Sequence, residues 1–178
     1  MNVWHDIDPA RINPEDFIVY IEISKGSKNK YELDKASGML ILDRVLYTST
    51  HYPANYGFIP RTYSEDNDPL DVLVLCTEEI KPAAICRCYP IGMMRMVDDG
   101  YNDEKIIAIP FKEPSYNNYT DIEQLPQHVM DEICHFFTVY KELEGKRTAD
   151  IKISDKASAI EVIKKSIRAY NDKYLPGR

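Results

Sequence analysis

Four carboxylates fall within the seven residues 65–71, namely Glu65, Asp66, Asp68 and Asp71, and the chain then runs directly into the apolar stretch Val72-Leu73-Val74-Leu75. Pro69 fixes its own φ and holds Asp68 extended, so the loop is stiff and its acids do not simply splay into water. Like charges held close raise one another's pKa unless a cation intervenes. A cluster of hard oxygens suits Mg2+ or Mn2+, which are held by one or two carboxylates and keep waters that a phosphate can replace. Taken alone, the segment reads equally well as a solvated acidic turn. An EF-hand is excluded, because its sixth position requires Gly and Asp71 stands there.

The remaining charged residues make the cluster informative. Asp98 and Asp103 form a second acidic group, Glu22 and Glu32 lie inside predicted strands, and Lys30, Arg44, Lys105 and Lys141 add cations. Fixed cations together with metal-binding acids are the parts that phosphoryl transfer requires. Each piece also has an ordinary explanation. Asp98-Asp99-Gly100 is a common hairpin turn, Tyr140 a core aromatic and Lys141 a solvated helix lysine. Only their joint occurrence points to a site.

Elements able to position these residues follow from periodicity. Residues 17–23 alternate as a strand, with Glu22 among apolar neighbours, and 30–33 and 39–44 form a hairpin around the turn 34–38. The aromatic, Pro- and Gly-punctuated segment 50–60 predicts an ordered loop. Further strands are expected at 71–76, 84–88, 91–97 and 104–109, the last two joined by 98–103. After Pro110 and Pro114 the pattern becomes helical, with one helix over 127–144 closed by Gly145, a strand over 149–153 and a second helix over 155–172 whose buried stripe is Ile160, Ile163, Ile167 and Tyr170. Many short strands followed by two helices, without βαβ alternation, predict a mainly β fold with α: an OB-like five-stranded antiparallel barrel with two flanking helices.

The chain has 178 residues, a length that predicts one domain over 1–178, and no run reaches the roughly 18 apolar residues of a membrane span. A net charge of -7 opposes a nucleic-acid surface. The first residues lack a basic segment followed by an apolar one, which makes the cytoplasm the expected location and reduced thiols the expected state of Cys76, Cys86, Cys88 and Cys134. Cys86 and Cys88 share a strand face but lack a second ligand pair, so buried strand cysteines are expected rather than zinc.

The run Asp66-Asn67-Asp68-Pro69-Leu70-Asp71-Val72 resembles the D-x-D-P-x-D-V signature of the family I soluble inorganic pyrophosphatases of bacterial type. The resemblance extends through Tyr20-Ile21-Glu22, Lys30-Tyr31-Glu32, Asp43-Arg44, Tyr52-Pro53-Ala54-Asn55-Tyr56-Gly57, Asp98 with Asp103 and Lys105, and His135-Phe136-Phe137 to Tyr140-Lys141 and Glu144. It implies an OB-like barrel with helices and Mg2+-dependent hydrolysis of pyrophosphate to two orthophosphates by a metal-activated water. It further implies three to four Mg2+ per site during turnover, with Mn2+ as a substitute. Residue by residue, Asp66, Asp71 and Asp103 would hold the tighter ion, with Asp71 shared with a second, and Asp98 and Asp103 would take a third. Glu22 would help bind a fourth through water, supported by Glu32. Asp68 would be the base, Tyr56 would bond near the nucleophile, and Lys30, Arg44, Lys105, Tyr140 and Lys141 would grip phosphate oxygens. The stretch after Gly145 lacks a tryptophan that many relatives carry there; the one tryptophan here is Trp4.

The resemblance also implies a homohexamer in the cytoplasm serving phosphate metabolism. His135 and Glu142, seven residues apart on the expected helix, would face each other across a two-fold axis. Two other classes remain open on sequence: a silent OB-type binding module, which needs a basic aromatic groove, and a Mg2+-dependent nucleotide phosphohydrolase, which needs a base-stacking pocket.

Overall fold

The chain enters through a one-turn helix, α1 (Val3–Asp6), and a short β1 (Ile12–Asn13) folds back onto β2 (Asp16–Ile23). A hairpin of β3 (Asn29–Leu33) and β4 (Leu40–Val45) follows, then β5 (Asn55–Ile59), β6 (Leu70–Val74), β7 (Ile85–Asp98) and β8 (Tyr101–Pro110). Helix α2 (Gln127–Val139), strand β9 (Thr148–Asp155) and helix α3 (Lys156–Tyr174) complete the order. This computed structural model describes residues 1–176. Gly177 and Arg178, which the expected domain includes, lie outside the described residues.

The larger sheet runs β1-β2-β5-β6-β8-β7-β9, and β7 also pairs back to β2. Pairing therefore runs in a ring through β2, β5, β6, β8 and β7, the five strands of the expected OB-like barrel. One feature of the expectation is corrected: the ring is not wholly antiparallel, because β6 and β8 run parallel, with Asp71 opposite Lys105. The hairpin β3-β4 is a separate sheet with Lys30 opposite Arg44.

Residues 55–59, expected to be loop, are a strand in which all five residues are buried. Because β5 is covered on both faces it shows no alternation, and its punctuation by Gly57 disguises it further. Gly57 is a close-approach position. A Cβ there would stand 1.8 Å from the Tyr20 carbonyl oxygen, so only glycine lets β5 lie against β2. Likewise the two strands expected over 84–97 are the single strand β7, bent where the register shifts between Pro90 and Gly92.

Apolar clusters cover both faces of the ring. Phe17, Val19, Ile21, Val72, Met93 and Ile106 pack with Val162 and Ile163 of α3. On the other side, Tyr52, Leu73, Met94 and Ile107 pack with Ile133, Phe136 and Phe137 of α2. The buried face of α3 is Ala159, Val162, Ile163, Ser166 and Tyr170, so Ile160 and Ile167 flank the stripe they were expected to lead.

The helix expected over 127–144 ends at Val139. Lys141, with φ -109° and ψ 1°, leaves the helical basin, and a 3-10 turn (Glu142–Glu144) follows, terminated by Gly145 at φ 76°. His135 and Glu142 are therefore not on one face of one helix, and the spacing argument for their two-fold pairing falls.

Candidate active site

The acidic loop is built by backbone bonds before its side chains act. Thr62 Oγ1 donates to the Ile59 carbonyl (2.6 Å) and accepts from the Leu70 amide (2.8 Å), pinning both ends of the connection between β5 and β6. Within it the Ser64 amide donates to the Asp68 carbonyl (2.8 Å), the Asn67 amide to the Ser64 carbonyl (3.1 Å), and Asn67 takes the left-handed conformation at φ 69°. The Asp68 amide donates to Asp66 Oδ1 (3.1 Å). Asp66 and Asp68 thus leave the loop beside Asp71, the second residue of β6.

At the centre lies Lys105, a buried ammonium on β8. Its Nζ donates to Tyr56 Oη (2.7 Å) and Asp71 Oδ2 (2.8 Å) and stands 3.0 Å from Asp103 Oδ2, while Tyr56 also donates to Asp71 Oδ2. The parallel β6–β8 register is what places Lys105 against Asp71. Burial disfavours this cation, yet the charges of Asp103 and Asp71 hold its pKa well above the usual value. Burial, then Asp71 and Asp103, raise the Tyr56 phenol far above its ordinary range, so this hydroxyl remains a donor.

The carboxylates carry the strain of crowding. Burial, then the charge of Asp71, push Glu22 up to about 8, although its Oε1 accepts from the Leu33 amide at 2.9 Å. Asp66 is exposed at its tip, but the crowding of protein around its carboxyl and then the charge of Asp71 raise it to about 6. Asp103 is raised by burial against the opposing pull of Lys105, with Asp71 and Asp98 adding to the rise.

A second group adjoins the first. The break after Val139 turns Lys141 onto Asp98 Oδ2 at 2.5 Å, with Tyr140 Oη at 3.5 Å from the same atom. Asp98 ends β7 immediately before the two-residue turn Asp99-Gly100, both at positive φ, which replaces the expected six-residue loop and puts Asp103 within β8. From the hairpin, Lys30 pairs with Glu32 and stands 3.6 Å from Asp43, which also pairs with Arg44; Arg44 Nε lies 2.7 Å from Glu144 Oε1.

One cavity of about 220 Å³ is lined by Glu22, Lys30, Glu32, Tyr56, Asp66, Asp68 and Asp71, together with Trp4, Lys35 and Pro69. Lys105 and Asp103 border it through Tyr56 and Asp71, and the group of Asp98, Tyr140 and Lys141 continues from Asp103. Arg44 joins through Asp43 to Lys30. All the candidate residues therefore meet in one region. Trp4, Lys35, Asp43 and Glu144 belong to it as well. Asp43 and Glu144 lie in the stretches that carry the family resemblance, whereas nothing local in the sequence marks Trp4 or Lys35.

The donor set is uniformly hard oxygen, Asp98 Oδ1 is buried without a hydrogen-bond partner, and Glu22 and Asp66 hold protons above the ordinary carboxyl range. Such a site fits a hard divalent cation. Among the described residues no three His, Cys, Asp or Glu side chains are drawn into a ready coordination cluster. Lys105 instead compensates Asp71 and Asp103.

Residues 19–171 match the family model described as inorganic pyrophosphatase. This chain belongs to the inorganic pyrophosphatase family. Soluble inorganic pyrophosphatase 1 of Arabidopsis thaliana is 47% identical over 172 residues, covering 97% of this chain and 81% of the relative. The solved inorganic pyrophosphatase of Thermus thermophilus superposes with a TM-score of 0.90 at 36% identity, covering 96% of this chain and 99% of that one. That of Helicobacter pylori gives 0.86 at 43%, covering 90% and 96%. The chain is an enzyme of this family, and its OB-like fold is the one these structures share. Among the described residues no helix is long and apolar enough to cross a membrane.

Proposed function

We propose that the chain, acting as one catalytic domain over 1–178, hydrolyses inorganic pyrophosphate to two orthophosphates with Mg2+, at the cavity bounded by Asp66, Asp68, Asp71 and Lys30. The observation that carries this reading is the meeting of five acids, Glu22, Glu32, Asp66, Asp68 and Asp71, with Lys30 and Lys35 around a space of about 220 Å³, suited to a small polyanion. Family membership supports the reaction. The raised proton affinities of Glu22 and Asp66 support a divalent cation as the partner those acids await.

In this reading Asp66, Asp71 and Asp103 would hold the tighter Mg2+, Asp71 would contribute to a second ion, Asp98 and Asp103 to a third, and Glu22, supported by Glu32, to a fourth through water; Mn2+ would substitute. When bound, the ions neutralise phosphate charge and acidify water. Asp68, half exposed at the cavity mouth, accepts the proton of the attacking water. Tyr56 donates a fixed hydrogen bond beside it. Lys30, Arg44, Lys105, Tyr140 and Lys141 stabilise the charge that gathers on the leaving phosphate. Asp43 accepts a hydrogen bond from Arg44, and Glu144 stands 2.7 Å from its Nε as an ion pair without hydrogen-bond geometry, so both carboxylates keep the guanidinium beside Lys30.

The reading extends to a cytoplasmic location, supported by four free cysteines among the described residues, and to a homohexamer. For the latter, support comes from the exposed apolar residues Met39, Ile41, Leu42, Val45 and Tyr47 on and beside β4, an apolar segment that another copy would cover.

Of the aromatics that line the cavity, Trp4, Tyr56 and Phe58 are buried and offer no free face for a base, which leaves the half-buried Tyr31 alone among the described residues, without a second ring to sandwich one. Phosphate release should therefore be faster from pyrophosphate than from ATP by roughly a hundredfold or more at equal Mg2+, and chelation should abolish it. Comparable rates on the two substrates would replace this reading with a nucleotide phosphohydrolase; no release from either would replace it with a binding module.

A further inference from the structure

We infer that Lys35 is a positioning residue for Asp68, holding its carboxylate in the cavity mouth from a seat against the indole of Trp4. The inference rests on the reading of Asp68 as the base.

The bonds that build the acidic loop fix the backbone of Asp68 and leave its side chain free. That side chain is 49% exposed, and among the described residues its cationic partner is the Lys35 ammonium, with which it pairs directly. A base so open to water samples several rotamers, whereas proton abstraction needs its oxygen within hydrogen-bond reach of one water. A cation on one oxygen selects a rotamer and leaves the other oxygen for the proton. It also screens Asp68 from Asp66 and Asp71.

Lys35, its side chain itself 52% exposed, is restrained on two sides. First, it lies in the tight turn between β3 and β4, where the Asp34 carboxylate accepts from the amides of Ala36 and Ser37 (both 3.2 Å) and the Asp34 amide donates to the Met39 carbonyl (2.8 Å). Second, Lys35 Nζ stands 5.7 Å from the Trp4 ring centroid, and the Lys35 carbonyl accepts from Asn2 Nδ2 at 3.3 Å.

Trp4 in turn is tied to the stretch from which the acidic loop hangs. Its Nε1 donates to the Thr62 carbonyl (2.9 Å) and its carbonyl accepts from the Arg61 amide (2.9 Å). Thr62 is the residue whose hydroxyl pins Leu70. The N-terminal segment thereby locks the hairpin turn and the acidic loop in one register. Burial opposes the Lys35 charge, but the hydrogen bond and charge of Asp68, with Asp66 behind it, raise its pKa, so the lysine stays a cation.

The test is a double-mutant cycle on the full chain, with kcat and KM measured for pyrophosphate at saturating Mg2+ and the folded fraction checked by urea titration. Lys35→Met should lower kcat about ten- to a hundredfold while KM moves less than about threefold. Lys35→Arg should recover most of the rate. In an Asp68→Asn background Lys35→Met should cost nothing further, because the group it positions is already gone. A KM rise with kcat intact, an equal loss in both backgrounds, or a loss accounted for by unfolding would overturn the inference. Wild-type kcat in Lys35→Met beside an inactive Asp68→Asn would overturn it alone; an Asp68→Asn variant as fast as wild type would overturn the assignment beneath it.

Discussion

A carboxyl group buried beside another carboxylate keeps its proton, and Glu22 does so to about pH 8 because burial, and then Asp71, penalise its anion. In the unfolded chain the same group titrates near 4.5. Below that value both states are protonated and Glu22 contributes no pH dependence. As pH rises from there the unfolded chain loses its proton and the folded one retains it, so stability falls, with the full cost present above about 8. Each pH unit across this window costs at most about 1.4 kcal/mol. In chelator, the urea midpoint of the wild type should therefore drop between pH 5 and 9, whereas Glu22→Gln, which mimics the protonated form, should drop less and be the more stable protein at pH 9. A constant difference across that range would show that Glu22 is not buried as an acid. The types and spacing of Asp66, Asp68 and Asp71 were legible in the sequence because Pro69 forces them together. The roles of Lys35 and Trp4 were not, since nothing local marks either and each reaches the site from a distant part of the chain.

At the level of elements, the hairpin follows from its turn signal and α3 from helical period, while β2, buried at every position from 17 to 23, is read from a run of β-branched and aromatic residues interrupted by Glu22 alone. β5 has no such signal. Buried on both sides and interrupted by Gly57, it reads as a loop, yet it carries Tyr56 to Asp71 and Lys105. Gly57→Ala would force a methyl into the Tyr20 carbonyl at 1.8 Å, separating β5 from β2. We expect a loss of about 3 kcal/mol or more in the urea unfolding free energy; a loss below about 1 kcal/mol would mean that the two strands can part without cost. The early end of α2 was equally hidden, because Leu143 and Glu144 continue a plausible helical sequence. The departure of Lys141 from helical geometry is what aims Lys141 at Asp98 and Glu144 at Arg44.

Over the whole molecule, a net charge of -7 gathers partly in one cavity, and the protein manages it with a buried lysine, retained protons and cations at the rim. The exposed apolar residues on and beside β4 should be covered in a hexamer: sedimentation velocity should give six copies for the wild type and smaller species for Ile41→Glu, and a monomeric wild type would remove that assembly. The proposal at the site is that the crowded acids serve hydrolysis with Asp68 as the base. It is tested most directly by the initial rate of phosphate release from pyrophosphate by Asp68→Asn at saturating Mg2+, with ion affinity measured on the same sample. The rate should be lower by about two to four orders of magnitude, with Mg2+ affinity within about threefold of wild type. A rate close to that of the wild type would contradict it.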